Sequence, residues 1–406
     1  MIDRWGKGIT KPVRMLLLLS LAELLAMTIW FSASAVVLAL QKEWHLSSGQ
    51  IAWLVMVVQL GFVSGTLLIS ITNLADVFNT RKVFAFSALL AALVNGMFPY
   101  MPGSFTVKLV LRFLSGMFLA GVYPPGMKIM AEWFKTGRGL AIGTLVGALT
   151  VGSALPHLVG SILQNLWRWT VLTSSFLAVL SAGIVLWWVK DGPYNVPAQK
   201  FNLKYFLTVL QHRPTRLAYF GYFGHMWELY AMWTWVPVFL LNYQIGRDAH
   251  AYSAGFAAFL VIGTGAAGCI LYGYWADRIG RSLSTILAMT ISGLCCFTVG
   301  FLSITPLALL FICLLWGLTV VADSAQFSAA ASELCDPQYM GTVLTLQTSL
   351  GFLLTMLSIR LVPVVQSFAG WGWAFAMLGL GPLFGIVAMY RLRNLPEAAK
   401  MANGHR

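Results

Sequence analysis

Twelve apolar runs dominate the chain, and nearly all of its charge is confined to the gaps between them. In the first half the runs read 14–40, 49–72, 82–101, 105–133, 139–164 and 169–189. In the second half they read 216–243, 251–275, 283–304, 306–332, 339–366 and 371–391. Each is near or above the ~20 residues that a helix needs to cross a ~30 Å hydrocarbon core. Lipid offers backbone groups no partner, so each run must satisfy its own hydrogen bonds, as a helix does. With 59% apolar and 10% charged residues, 406 residues cannot hide this surface in a soluble domain. The expected fold is an all-α membrane protein of twelve transmembrane helices in two six-helix bundles.

The net charge of +13 suggests nucleic acid, but the charges sit at run ends and form no stripe or patch. Topology explains them better. With the N-terminus inside, 19 of the 26 Lys and Arg residues fall on inside loops and termini. Outside loops and margins carry Lys42, Lys108, Arg168 and Arg247, and Arg112, Lys128 and Arg360 lie within runs. Such a bias places both termini in the cytoplasm. The first run is too long for a cleavable signal and lacks a small-residue cleavage site. The five cysteines fall in or beside second-half runs without a CxxC pair, and read as small buried hydrophobes. Residues 1–190 and 216–406 are expected to form the two bundles. Between them, residues 191–215 form a cytoplasmic linker. In that linker Phe201, Tyr205, Phe206, Val209 and Leu210 recur at the spacing of an amphipathic helix.

One short charged turn occurs twice. Gly273-Tyr-Trp-Ala-Asp277-Arg278-Ile-Gly280-Arg281 follows the eighth run, and Asp76 follows the second, 201 residues earlier. A repeat spanning half of a membrane chain points to a duplicated, pseudo-symmetric transporter. An aspartate beside a helix N-terminus is favoured by the helix dipole and can bridge to Arg on a neighbouring helix. The pair then forms a latch that holds one of two conformations. The alternative is a solvated loop that merely obeys the charge bias.

Twelve runs in two sets of six, with this turn after runs two and eight, resemble the major facilitator superfamily over the whole chain. Gly273, Asp277, Arg278, Gly280 and Arg281 match the family's turn in full. The first copy keeps Asp76, but Thr72, Val77, Asn79 and Thr80 replace its other positions, with Arg81 and Lys82 displaced by one. Arg112-Phe-Leu-Ser-Gly116 resembles the family's span-four motif, which the family links to proton coupling. Gly139, Gly143, Gly147, Gly152 and Pro156 lack the Gly-Pro pair of the antiporter motif and read as helix-packing positions.

Ionisable residues at mid-span are costly, so they are functional candidates. Glu23, Arg112, His225, Glu228 and Asp323 fall in runs one, four, seven and ten, which line the central cavity in the family this chain resembles. Glu23, His225, Glu228 and Asp323 are the proton-coupling candidates. His225 and Glu228, three residues apart, share a helix face. Pairing of Glu23 with Arg112 is the structural alternative. Arg112, Trp30, Tyr123, Trp227, Tyr230 and Gln326 are the substrate-binding candidates, because an aromatic wall with few charges suits an organic substrate. Asp76, Arg81, Gly273, Asp277, Arg278, Gly280 and Arg281 form the latch set.

No metal-ligand spacing is present beyond the His225–Glu228 pair, and no phosphate-cradling GxxxxGK[ST] loop points to ATP. The expected energy source is a proton gradient, with no enzymatic activity and no cofactor. Gly121-Val-Tyr-Pro-Pro-Gly126-Met-Lys, with Glu132-Trp-Phe and Arg138-Gly139, resembles bacterial uptake permeases for small anions such as nitrate and sugar phosphates. The leading reading is a monomeric, proton-coupled symporter of a small organic or inorganic anion in the bacterial inner membrane. The alternatives are a proton-driven exporter of amphipathic or cationic compounds, a metal or metal-chelate transporter, and a receptor built on the same scaffold.

Overall fold

The computed structural model describes residues 10–134, 137–163, 166–194, 211–242, 251–302, 305–336 and 339–405. Every regular element among them is helical. The amphipathic segment expected at 201–210 lies outside the described residues.

In the first half, α1 (Lys11–Met27), α2 (Val37–Trp44), α3 (Ser48–Thr72), α4 (Leu74–Val77) and α5 (Thr80–Met97) come first. They are followed by α6 (Phe105–Leu119), α7 (Tyr123–Trp133), α8 (Arg138–Leu163) and α9 (Trp167–Trp187). The second half begins with α10 (Arg213–Asn242), α11 (Ala251–Gly263), α12 (Gly265–Ile279) and α13 (Arg281–Thr298). It continues with α14 (Pro306–Val320), α15 (Ser324–Leu334) and α16 (Met340–Arg393), and a 3-10 segment, Pro396–Gly404, follows. Among the described residues, eight helical stretches are long and apolar enough to cross a membrane by length and composition. The last of them, α16, holds both of the final apolar runs and turns at Gly370, whose φ of 80° suits glycine.

Several single runs are two helices. Pro124 and Pro125 open α7, and because proline cannot donate a backbone hydrogen bond, the run at 105–133 breaks just before them. The first run breaks over residues 28–36, where Thr28 and Ser32 hydroxyls donate back to the Leu25 and Ile29 carbonyls. The run at 306–332 breaks over residues 321–323. Ser47 starts α3 with a capping box to Gln50, and Asn79 caps α5 through the Arg81 and Lys82 amides.

Within each half, helices touch almost backbone to backbone. A Cβ on Gly116 of α6 would lie 1.9 Å from the Val58 carbonyl oxygen of α3. A Cβ on Gly317 of α14 would lie 1.8 Å from the Val261 carbonyl oxygen of α11. Gly116 and Gly317 are 201 residues apart, so the same close approach recurs at the repeat spacing. First-half helices contact the second half mainly along two seams, α3 with α16 and α8 with α11 and α12. On the first seam, Thr355 donates to Gln59 over 2.5 Å, and the Ser70 and Thr345 hydroxyls also lie 2.5 Å apart. On the second, Gly143 packs against the Cys269 carbonyl and Gly273 against the Gly139 carbonyl.

Candidate functional site

Between the two seams, α7 and α15 face each other across a cavity of about 410 Å³. Its polar wall includes Ser70, Thr345 and Thr348, with Lys128 and Arg281 as cations and Glu333 as the acid. Tyr123, Ser328 and Thr348 also line a second chamber of about 40 Å³. Trp30, Phe62, Tyr230 and Phe352 wall this chamber, with ring centroids of neighbours 4.8–5.7 Å apart. The rings come from the break after α1, from α3, from α10 and from α16, so both halves contribute. The indole nitrogens of Trp30 and Trp233 are buried there without a hydrogen-bond partner.

The expected substrate-binding residues divide. Tyr123, Trp30, Tyr230 and Gln326 line the cavity or its chamber. Trp227 packs instead on Gly381 and donates to the Met377 carbonyl over 3.1 Å. Arg112 is fully buried and lines neither space. Its Nη2 donates to the Trp30 carbonyl over 2.6 Å, and its Nη1 to the Ile29 carbonyl, Ser32 Oγ and Asn95 Oδ1. The break after α1 leaves the Trp30 carbonyl without a described backbone donor, and a buried guanidinium is well suited to satisfy it.

The expected proton-coupling residues form no single cluster. Glu228 accepts from Trp316 Nε1, Cys296 Sγ and Ser292 Oγ, which seal it inside the second half. His225, one turn earlier, has its Nδ1 2.9 Å from Asp323 Oδ1. Glu23 is fully buried, and neither carboxyl oxygen has a hydrogen-bond partner. It lies against Gly126 of α7, where a Cβ would come within 2.8 Å of Oε2. Glu23 and Arg112 therefore do not pair.

The second charged turn is a complete network. Gly280, with φ 94°, lets α12 turn into α13, which places Arg281 at the start of α13. Arg281 Nη1 donates to Asp277 Oδ1 over 2.9 Å and to Gln326 Oε1 over 2.9 Å. Its Nη2 donates to Glu333 Oε1 over 3.0 Å. The Asp277 carboxylate sits over the first turn of α8, where a Cβ on Gly139 would lie 2.6 Å from it. That is where the α8 dipole favours a negative charge. Gly273 packs on the Gly139 carbonyl beside it. Arg278 turns away and stacks on Tyr274, 4.0 Å from the ring centroid.

The first turn is wired differently. Asp76 lies in α4, and its side chain is outside the described residues. Arg81 donates to both carboxylate oxygens of Asp191, over 2.7 and 2.9 Å, and to the Val189 carbonyl. The Arg81 hydrogen bond holds the Asp191 carboxyl below the usual carboxylate range. Trp133 Nε1 donates to the Lys190 carbonyl, and the Tyr194 amide donates to the Glu132 carbonyl. The chain leaving α9 is thus tied beneath α7. In the second half, Glu333 accepts from the Ala402 amide, so the chain leaving α16 is tied beneath α15.

Sequence reasoning missed Glu333, Asp191, Asn95 and the three donors around Glu228. A signal for Glu333 was present, because it stands 201 residues after Glu132, the spacing that separates Asp76 from Asp277. Asp191 had no such marker, because its partner Arg81 is the displaced member of the eroded copy.

A family model described as Major Facilitator Superfamily matches residues 19–359. The chain belongs to the Major Facilitator Superfamily. This superfamily chain is 26% identical over 221 residues to NiaP of Bacillus subtilis (strain 168), a protein named for niacin/nicotinamide transport. That match covers 51% of this chain and 53% of NiaP. It is 29% identical over 178 residues to YgaY of Escherichia coli (strain K12), an uncharacterised transporter, covering 43% of each. It is 29% identical over 154 residues to solute carrier family 22 member 6 of Pseudopleuronectes americanus, covering 37% of this chain and 26% of that protein. The chain thus spans about half the length, or less, of the curated relatives it matches. The family and the long apolar helices make it a multi-pass membrane protein.

Proposed function

We propose that this chain carries a small organic anion by alternating access between two six-helix halves, residues 1–190 and 216–406, coupled to protons. The observation that carries the reading is a cavity between helices of both halves, with Lys128 in its polar wall, Arg281 bridged to Glu333 there, and an aromatic chamber at its end. A planar organic acid suits such a space, with its ring against the aromatics and its oxygens toward the hydroxyls and cations. The relatives support this class, since they include an Organic anion transporter 3 of Mus musculus and a niacin/nicotinamide transporter. In this reading twelve spans cross a bacterial inner membrane as a monomer, and the Lys and Arg bias keeps both termini in the cytoplasm.

Glu23 is our choice for the proton carrier. It is a buried carboxyl with no described donor, so taking up a proton removes the cost of burying its charge. The His225–Asp323 pair is the second choice, since a histidine–carboxylate contact can also pass a proton. An exporter of cations would want a free acid in the cavity. Among the described lining residues the acid is Glu333, which Arg281 already neutralises.

Purified protein in proteoliposomes under an imposed pH gradient tests the reading with nicotinate, benzoate, glycerol 3-phosphate, nitrate and a cationic dye. Gradient-driven accumulation of an organic acid is expected. Accumulation of the dye with none of the anions would overturn it.

A further inference from the structure

Gln326 belongs to two structures at once. It lines the cavity, and it holds Arg281 in the charged turn. The guanidinium nitrogen that donates to Gln326 Oε1 is Nη1, which also donates to Asp277 Oδ1. Its two hydrogens are thus divided between the cavity wall and the latch. The other end of the same amide, Nε2, is buried without a partner, in a side chain that is 1% exposed. A buried amide N–H without an acceptor is costly, and an acceptor in the cavity would relieve it.

We propose that Gln326 reports cavity occupancy to the Asp277 latch. Its Nε2 donates to a carboxylate or carbonyl oxygen of the substrate, and its Oε1 gives up Arg281. The amide is one rigid plane, so turning Nε2 toward a ligand swings Oε1 off Nη1. Arg281 then settles on Glu333, which already holds Nη2 over 3.0 Å. Asp277 loses the cation that fixes it over Gly139, and the seam between α8 and α12 loosens. An empty cavity keeps the seam locked, and a filled one releases it. The element whose equilibrium both sites would bias is the Asp277–Gly139 contact. The substrate chemistry rests on the organic-anion reading, whereas the link from Gln326 to the seam does not.

Cys269 supplies the readout, because it is buried in α12 with its carbonyl against Gly143 of α8. Its maleimide labelling rate in membranes, assigned by peptide mass, follows opening of the seam. Without ligand, Gln326→Leu should label about fivefold faster, a coupling of ordinary size. Gln326→Glu holds Arg281 more firmly and should label more slowly. Asp277→Asn should also label faster, and adding Gln326→Leu to it should give no further gain. Unchanged rates in both Gln326 variants, or additive effects in the double variant, would overturn the proposal. Nicotinate is the ligand probe, and it should speed labelling of the unsubstituted protein but not of either Gln326 variant. Accumulation of nicotinate with no change in labelling would also overturn the proposal. A lack of nicotinate accumulation would strike the organic-anion reading alone, because the ligand-free comparisons decide the coupling.

Discussion

Glu23 and Glu228 are both acids buried in helices, yet their surroundings make opposite demands. Glu228 accepts from three donors, so an apolar side chain in its place would leave N–H, S–H and O–H groups without an acceptor. Glu228→Leu should therefore lower thermal stability by about 1–3 kcal/mol, the cost of unsatisfied buried groups. Glu23 has no such shell, so Glu23→Gln should leave the fold intact. It should abolish gradient-driven accumulation while sparing substrate exchange, and unchanged accumulation would remove Glu23 from the proton path. Arg112→Ala strips the guanidinium donor from the Trp30 carbonyl at the break after α1 and should cost about 1–3 kcal/mol. Folded yield after detergent extraction checks this. The sequence placed His225 and Glu228 on one face, as their spacing requires. It could not show that one turn of α10 separates two clefts, one closed by Asp323 and the other by Trp316.

At the scale of elements, the two charged turns are not equivalent. The second ties α12, α13 and α15 together through Arg281 and sets Asp277 over the N-terminus of α8. Asp277→Asn should therefore impair transport more than Asp76→Asn at equal expression, and equal losses would refute the ranking. The first half has a different clamp, Arg81 on Asp191, partly open to water. Arg81→Ala should cost about 1 kcal/mol, as expected for an exposed bidentate pair. Because Asp191 is held below the usual carboxylate range, the clamp contributes at neutral pH. Its contribution fades as acid protonates the group, so the stability gap between Arg81→Ala and the parent should close as the pH falls below the ordinary carboxylate range. Elements were legible where the pattern was local. The glycine between α12 and α13 and the break at Pro102-Gly103-Ser104 before α6 are visible in the sequence, whereas 105–133 read as one run despite the prolines that open α7. The break after α1 was not, because hydroxyl back-bonding and a distant arginine sustain it.

Across the whole molecule, the period of 201 residues proved the more informative pattern. It relates Asp76 to Asp277, Gly116 to Gly317, and Glu132 to Glu333. A repeat fixes which backbones must approach closely, and so the seams and helix pairs follow from it. The cavity's chemistry does not follow, because it depends on which of many buried polar groups find partners. Gln326 was visible as a polar residue in an apolar run, but its unpaired nitrogen was not.

The tie between Glu333 and the Ala402 amide bears on how the protein is handled. An affinity handle or fluorescent reporter grafted directly after Asn394 would discard the backbone donor that steadies Glu333 in the cavity wall. Fusions joined after Arg406 keep that donor. Two otherwise identical preparations could then differ in transport rate for no reason visible on a gel.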